Sequence, residues 1–381
     1  MNNPLNFVLP YSQEHYPTDW CFSGPLHHTI KKIHSFTIFP TLKDGYDNYI
    51  LIEPFNTINS MPENINKIID GILLSEFIQK NNVDLIVSVV GDPFHQFYLD
   101  EFITTLKKLD IYHKTKILTS TMNVSDDIVF NFNFFIEESA QFHKNHTFHG
   151  QINQLGYITR EIKEHELNNF RNKKFLCLNR NLDKEHRLSL LHDYLTNDFT
   201  DSYFTFLRFF DNEIHADAYQ ENQFHDSVYL DKLPIELDTN GNVDFGSSDT
   251  IKTELFLDSC INLITETSFD KNEIFLSEKV LKPILMFQPF IVFGPMGYLK
   301  ELKNLGFKTF SDFWDESYDD IEDSKKRYFT LMNLILDLNK KSIKEFNELY
   351  QQTKDIVIYN NNNLKNINKD GISYFLNNFM R

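Results

Sequence analysis

Short, nearly continuous apolar runs alternate along this chain with longer amphipathic stretches, and that alternation restricts the fold more than any other feature. Such runs are strands buried on both faces, and an intervening helix is the connection that parallel neighbours require. The spacing predicts strands at 49–52, 85–90 and 116–118 with helices at 65–80 and 97–109. A second series follows, with strands at 174–178, 261–265 and 290–293 and helices at 184–194, 278–287 and 298–305. Between Gly150 and Lys174 strand character is lost and Arg160 to Glu166 is charged, so a boundary falls near 165. The expected class is α/β, built as two units with parallel sheets. Past Asp319 the pattern turns helical, with Tyr328, Leu331, Leu334, Ile335 and Leu338 on one face and Phe375 and Phe379 at the tail.

At 381 residues the chain is too long for one core, and 41% hydrophobic with 15% aromatic residues supplies ample material to bury, which excludes wholesale disorder. The net charge of −17 has the wrong sign for a protein that neutralises phosphate backbones, so nucleic acid is a disfavoured partner. Cys21, Cys177 and Cys260 are odd in number, far apart and set among apolar neighbours, as expected of buried thiols in a reducing, cytoplasmic setting. Residues 1–10 lack a basic start followed by an apolar run, and the run at 85–90 falls far short of the roughly 18 residues of a membrane span. Asn360 to Asn363 is the single biased patch, too short to be a tail.

Two constellations carry chemistry. In the first, a strand ends in Asn179 and Arg180, and the following helix carries Arg187. Ligands of parallel sheets bind beyond the carboxyl ends of strands, where two guanidinium forks suit a diphosphate; solvated surface arginines are the plain alternative. In the second, Thr265-Glu266 ends a strand, and Ser277-Glu278-Lys279 opens a helix that continues to Lys282-Pro283. Ser277 is placed to cap that helix, whose amino end attracts phosphate with Lys279 beside it. Glu278 either accepts hydrogen bonds from sugar hydroxyls or simply balances the helix dipole. Gly294-Pro-Met-Gly297 is a turn that brings backbone to a ligand or merely reverses the chain.

These residues, Phe175-Leu-Cys-Leu-Asn179-Arg180 with His186-Arg187, Thr265-Glu266, Ser277-Glu278-Lys279, Lys282-Pro283, Gln288-Pro-Phe-Ile and Gly306-Phe-Lys-Thr-Phe310, resemble a bacterial and viral family of GT-B glycosyltransferases of the fucosyltransferase-like group. The resemblance covers mainly 173–313. It implies two Rossmann-like domains facing a cleft: an acceptor domain at 1–165, a nucleotide-sugar domain at 166–345, and C-terminal helices at 346–381 that pack back on the first. It also implies that Arg180 and Lys279 grip the diphosphate and Glu278 the ribose or sugar, with Arg187 a second cation and Asn179, Glu266, Ser277, Lys282 and Gly294 around the donor. Leu281 and Met286-Phe287 depart from the smaller residues usual there, so the donor is not inherited.

The implied activity is transfer of a sugar from a nucleotide-sugar to a hydroxyl of a glycan, lipid-linked saccharide or protein, inverting and without a cofactor or divalent metal. For the base that takes the hydroxyl proton, Asp92 stands just past the strand 85–90, with Glu137, Glu138 and His95 behind it, although Asp92-Pro93 also opens ordinary turns. His143, His146 and His149 are spaced for a metal but read as exposed imidazoles, and Asp126-Asp127 and Asp319-Asp320 as solvated loop acids. The competing readings are a viral glycosyltransferase acting on modified DNA bases and a non-catalytic relative that only binds sugar or nucleotide. Neither a Gly-x-Gly-x-x-Gly after the first strand nor a Walker-type Gly-Lys-Ser/Thr occurs, which argues against a dinucleotide enzyme or an ATPase. The Asn-, Ile-, Lys- and Phe-rich usage is that of an AT-rich bacterial or viral genome.

Overall fold

The computed structural model describes residues 5–8, 36–39, 42, 44, 47–52, 72–89, 93–131, 133, 136, 157–158, 162–182, 184–208, 230–237 and 250–367. The chain divides into two compact units, Met1–Glu138 with Asn368–Arg381, and Ser139–Ile367. The α/β expectation is borne out, because each unit is built on a parallel sheet.

In the first unit, β1 (Leu5–Val8), β2 (Phe36–Phe39), β3 (Asp47–Ile52), β4 (Asp84–Val89), β5 (Thr115–Thr119) and β6 (Val129–Asn131) pair in the order β2-β1-β3-β4-β5-β6, every pair parallel. Helices α1 (Ile72–Asn81) and α2 (Gln96–Lys108) supply crossovers. The α2 helix buries Leu99, Phe102, Ile103 and Leu106, the three-and-four spacing of one helical face, against Leu85, Val87 and Ile117 of the sheet.

The second unit carries β8 (Lys173–Asn181), β9 (Tyr203–Arg208), β11 (Ser259–Thr265) and β12 (Phe290–Phe293), parallel and in the order β12-β11-β8-β9, with a separate short pair of β7 (Tyr157–Ile158) and β10 (Thr250–Ile251). All seven residues of the inner strand β11 are buried. Its helices are α3 (Glu185–Thr196), α4 (Thr253–Asp258), α5 (Glu278–Leu285), α6 (Tyr298–Asn304), α7 (Ser324–Asn339) and α8 (Ile343–Asn366).

The α5 helix stops two residues short of expectation. Phe287 turns left-handed at φ 51°, so Gln288 N–H bonds Pro283 O at 2.9 Å and closes the helix end. Glycine normally takes that conformation, and the bulky residue is held in it by Tyr350, whose hydroxyl donates to Phe287 O at 3.1 Å.

The C-terminal segment from 346 was expected to return to the first unit; helix α8 packs on α5, β11 and β8 of the second, while Asn368–Arg381 group with the first. Phe346 meets Phe175 edge-on at 5.1 Å, and the Arg171 guanidinium lies 3.7 Å over the Tyr350 ring. Its buried face is apolar and amide-bearing, matched to the strand ends and loops of its own unit. Phe375 and Phe379 lie outside the described residues.

Candidate functional site

The strand order locates the site. From β8 the chain crosses through α3 to β9 on one side, and from β11 through α5 to β12 on the other. The two crossovers leave in opposite directions and share one hand, so their helices cover opposite faces and open a crevice between the carboxyl ends of β8 and β11. Asn179 to Asn181 end one strand there, and Thr265 with Glu266 ends the other.

Under the crevice, buried Asn179 knits the sheet. Its amide oxygen accepts from Thr265 Oγ1 at 2.5 Å, its backbone N–H donates to Thr205 Oγ1 at 3.1 Å, and Nδ2 lies 3.3 Å from Cys177 Sγ. The start of α3 closes in from the side. Buried Arg187 donates from Nη2 to Thr265 O at 3.0 Å, and His186 Nε2 lies 3.0 Å from Glu266 O with its ring stacked on Phe269 at 4.9 Å. Burial holds His186 well below the ordinary imidazole value, and the Arg187 charge pushes the same way, so the ring is neutral and donates to Glu266 O.

A pH prediction follows. The unfolded imidazole takes up a proton below about pH 6.5 that the folded one refuses, so stability is full above that value and falls as pH drops through it, by at most about 1.4 kcal/mol per pH unit. Urea midpoints at about pH 7.5 and about pH 5.5 check it. His186→Gln should flatten this dependence, and an unchanged slope would clear His186 as its cause.

The amino end of α5 forms the other wall. Ser277 is the N-cap, its Oγ accepting from Lys279 N–H at 3.2 Å while Lys279 Nζ sits 3.4 Å away. The same hydroxyl donates to Glu266 Oε2 at 2.7 Å, and Tyr298 OH donates to Glu266 Oε1 at 2.6 Å. Lys279 Nζ pairs with Glu278 Oε1 at 2.9 Å; the Lys279 side chain is 31% exposed against 12% for Glu278, which makes the ammonium the more accessible of the two charges. Burial raises the Glu266 carboxyl, opposed by Lys279 and the two hydroxyls. Burial acts upward on Glu278 too, but Lys279 and Lys282 together outweigh it and hold that carboxyl below its usual range. Lys282 lies half-buried one turn further along α5. Two lysines and a helix amino terminus thus face one glutamate pair at a strand-end crevice, a setting that suits a polyanion bearing hydroxyl groups.

Gly294 serves the Tyr298 ring: a Cβ there would lie 3.1 Å from Tyr298 Cδ2. Its carbonyl accepts from Arg327 Nε at 3.2 Å. Tyr298 and Arg327 both went unread in the sequence. The glycine four residues before Tyr298 is a signal for the ring, while buried Arg327, on α7, shows none.

Other expected residues fall elsewhere. Arg180 is the penultimate residue of β8, but its side chain is not among those described, and Asp92, Glu137, Glu138, His143, His146 and His149 lie outside the described residues. His95, in the first unit, is buried at the start of α2 with its ring 5.6 Å from Tyr98. The acids expected to be solvated are partly corrected. Asp319 is buried and caps α6 through Leu299 N–H at 2.9 Å and Lys300 N–H at 3.0 Å, while Asp126 accepts from Tyr112 OH at 2.7 Å. Cys177 and Cys260 are free buried thiols, pushed up to about 12 by burial and so inert at neutral pH. Among the described residues, no three His, Cys, Asp or Glu side chains are grouped to hold a metal, and no helix is long and apolar enough to cross a membrane.

Neither family models nor curated proteins match the chain. Among solved structures, a protein from Listeria monocytogenes provisionally described as a UDP-N-acetylglucosamine 2-epimerase aligns with a TM-score of 0.34 at 12% identity, over 100% of this chain and 97% of that one. That likeness is too slight to bear on the chemistry.

Proposed function

We propose that the second unit binds a nucleotide-sugar and that the protein is a glycosyltransferase acting on a hydroxyl of a glycan or glycoconjugate. One observation carries this reading: Ser277, Glu278 and Lys279 at the amino end of α5 are tied through Ser277 to Glu266 at the end of β11, the strand beside β8 where the order reverses.

In this reading the diphosphate sits at the α5 amino terminus with Lys279, and Lys282 and Arg180 add charge. Glu278, freed from Lys279 as the phosphate takes over that ammonium, accepts from ribose or sugar hydroxyls. As the glycosidic C–O bond breaks, negative charge grows on the departing diphosphate, and these fixed cations stabilise it without help from a metal. Asp92 is our candidate for the carboxylate that receives the acceptor proton, with Glu138 and His95 behind it; attack from the face opposite the leaving group inverts the sugar carbon.

The test is a thermal-shift screen of nucleoside diphosphates and their sugars. One of them at a hundred times its Kd should stabilise the protein by about 2.7 kcal/mol. Lys279→Ala should weaken that ligand about 10- to 100-fold, the value of one hydrogen bond to a charged group. No shift with any nucleoside diphosphate, or undiminished affinity in Lys279→Ala, overturns the reading.

A further inference from the structure

Glu266 is only 2% exposed, and both of its carboxylate oxygens already accept hydroxyl hydrogens, from Ser277 at 2.7 Å and Tyr298 at 2.6 Å. A ligand has no open route to it. Its backbone is tied as well, with N–H to Phe293 O at 2.9 Å and its carbonyl to His186 Nε2 at 3.0 Å. One residue at the end of β11 therefore joins β12, α3, α5 and α6. The Ser277 hydroxyl is the link outward: with its hydrogen directed to Glu266, its lone pairs are aimed at Lys279 N–H and Nζ.

Resting on the reading of the α5 amino terminus as the diphosphate site, we infer that Glu266 is a positioning residue rather than a donor contact, acting through Ser277 to orient the amino end of α5 and the Lys279 ammonium toward the phosphates. Were the carboxylate replaced by an amide, only one of its two polar atoms would still accept. The other, an NH2 group, would face a hydroxyl and turn its hydrogen away. Facing Ser277, the NH2 turns that hydrogen toward Lys279 and the lone pair for Lys279 N–H is lost; facing Tyr298, it breaks the bond that fixes the side chain from the far side, and Ser277 loses its anchored acceptor. Tyr298, held by Gly294 against the ring, fixes the rotamer of Glu266 from the far side.

The test is calorimetric titration of the full-length protein with inorganic pyrophosphate and with uridine diphosphate. Glu266→Gln and Ser277→Ala should each weaken pyrophosphate at least tenfold, and Ser277→Thr, which keeps the hydroxyl, should restore it. Because both changes cut the same chain of hydrogen bonds, Glu266→Gln/Ser277→Ala should bind no more weakly than the weaker single variant, whereas general loosening of the fold would make the losses multiply.

If Glu266→Gln does not fold, Ser277→Ala against Ser277→Thr still decides. Wild-type affinity in Ser277→Ala, multiplicative losses, or no rescue by threonine overturns the inference while the diphosphate site stands. Absence of binding to wild-type protein by either probe overturns the site and the inference together.

Discussion

Arg327→Ala is expected to destabilise the second unit strongly. The guanidinium is 2% exposed and donates to four backbone carbonyls, Gly294 O at 3.2 Å, Ile321 O at 2.5 Å, Glu322 O at 3.0 Å and Phe269 O, while lying 4.7 Å over the Phe269 ring. These carbonyls belong to the segments that follow β11 and β12 and to the approach to α7, so one side chain holds both walls behind the crevice. An orphaned buried carbonyl costs about 1–3 kcal/mol, and water entering the vacated space recovers part of that, so the net loss is on the order of 4 kcal/mol. That is a large share of the roughly 5–15 kcal/mol that separates folded from unfolded states. Lysine, with a single point charge in place of a planar fork, should restore only a minor part. Urea unfolding checks this, and an Arg327→Ala midpoint shift worth less than about 1 kcal/mol would show that the clamp is redundant.

The second large effect lies on α8. Asn347 accepts from Arg171 N–H at 2.8 Å and donates to Arg171 O at 2.9 Å, and Asn360 does the same to Lys308 at 2.8 Å for both bonds. Each amide imitates a neighbouring strand, satisfying both polar groups of one peptide. Alanine at either position strands two backbone groups and should cost about 2 kcal/mol. They lie thirteen residues apart along the helix, about 20 Å, beyond the range at which sites couple, so the double variant should lose about 4 kcal/mol. Denaturant titration of the single and double variants checks the sum; a double loss equal to one single loss would mean that α8 detaches as a whole. Asparagine-to-aspartate should not rescue either site, because a carboxylate would face the carbonyl that the amide now serves.

Much of this fold was legible in the sequence because burial on both faces leaves an unmistakable apolar run. The expectation of a strand at 261–265 falls within observed β11, and the expected helix start at Ser277-Glu278 matches the observed N-cap. What escaped depends on partners distant along the chain. The observed β8 runs to Asn181, past its apolar segment, because Asn179 finds hydroxyls on Thr205 and Thr265. The edge strand β9, Tyr-Phe-Thr-Phe-Leu-Arg, carries the aromatic and β-branched residues of a strand and nevertheless went unassigned. The asparagines at 360–363 look like compositional bias until Lys308, Ile284, Leu285 and Leu305 are set opposite three of them. At the site, residue type pointed to Ser277 and Lys279, but only distances reveal that Glu266 faces inward to two hydroxyls.

The α5 helix is fastened at both extremities. Ser277 secures the first turn, and buried Asn361 holds the final carbonyls, Ile284 O at 3.2 Å and Leu285 O at 3.1 Å. A rod anchored in this way has its axis set before any ligand is present. The entropy of aligning its dipole is surrendered once, during folding, and under the proposed reading a phosphate would meet a pole already aimed.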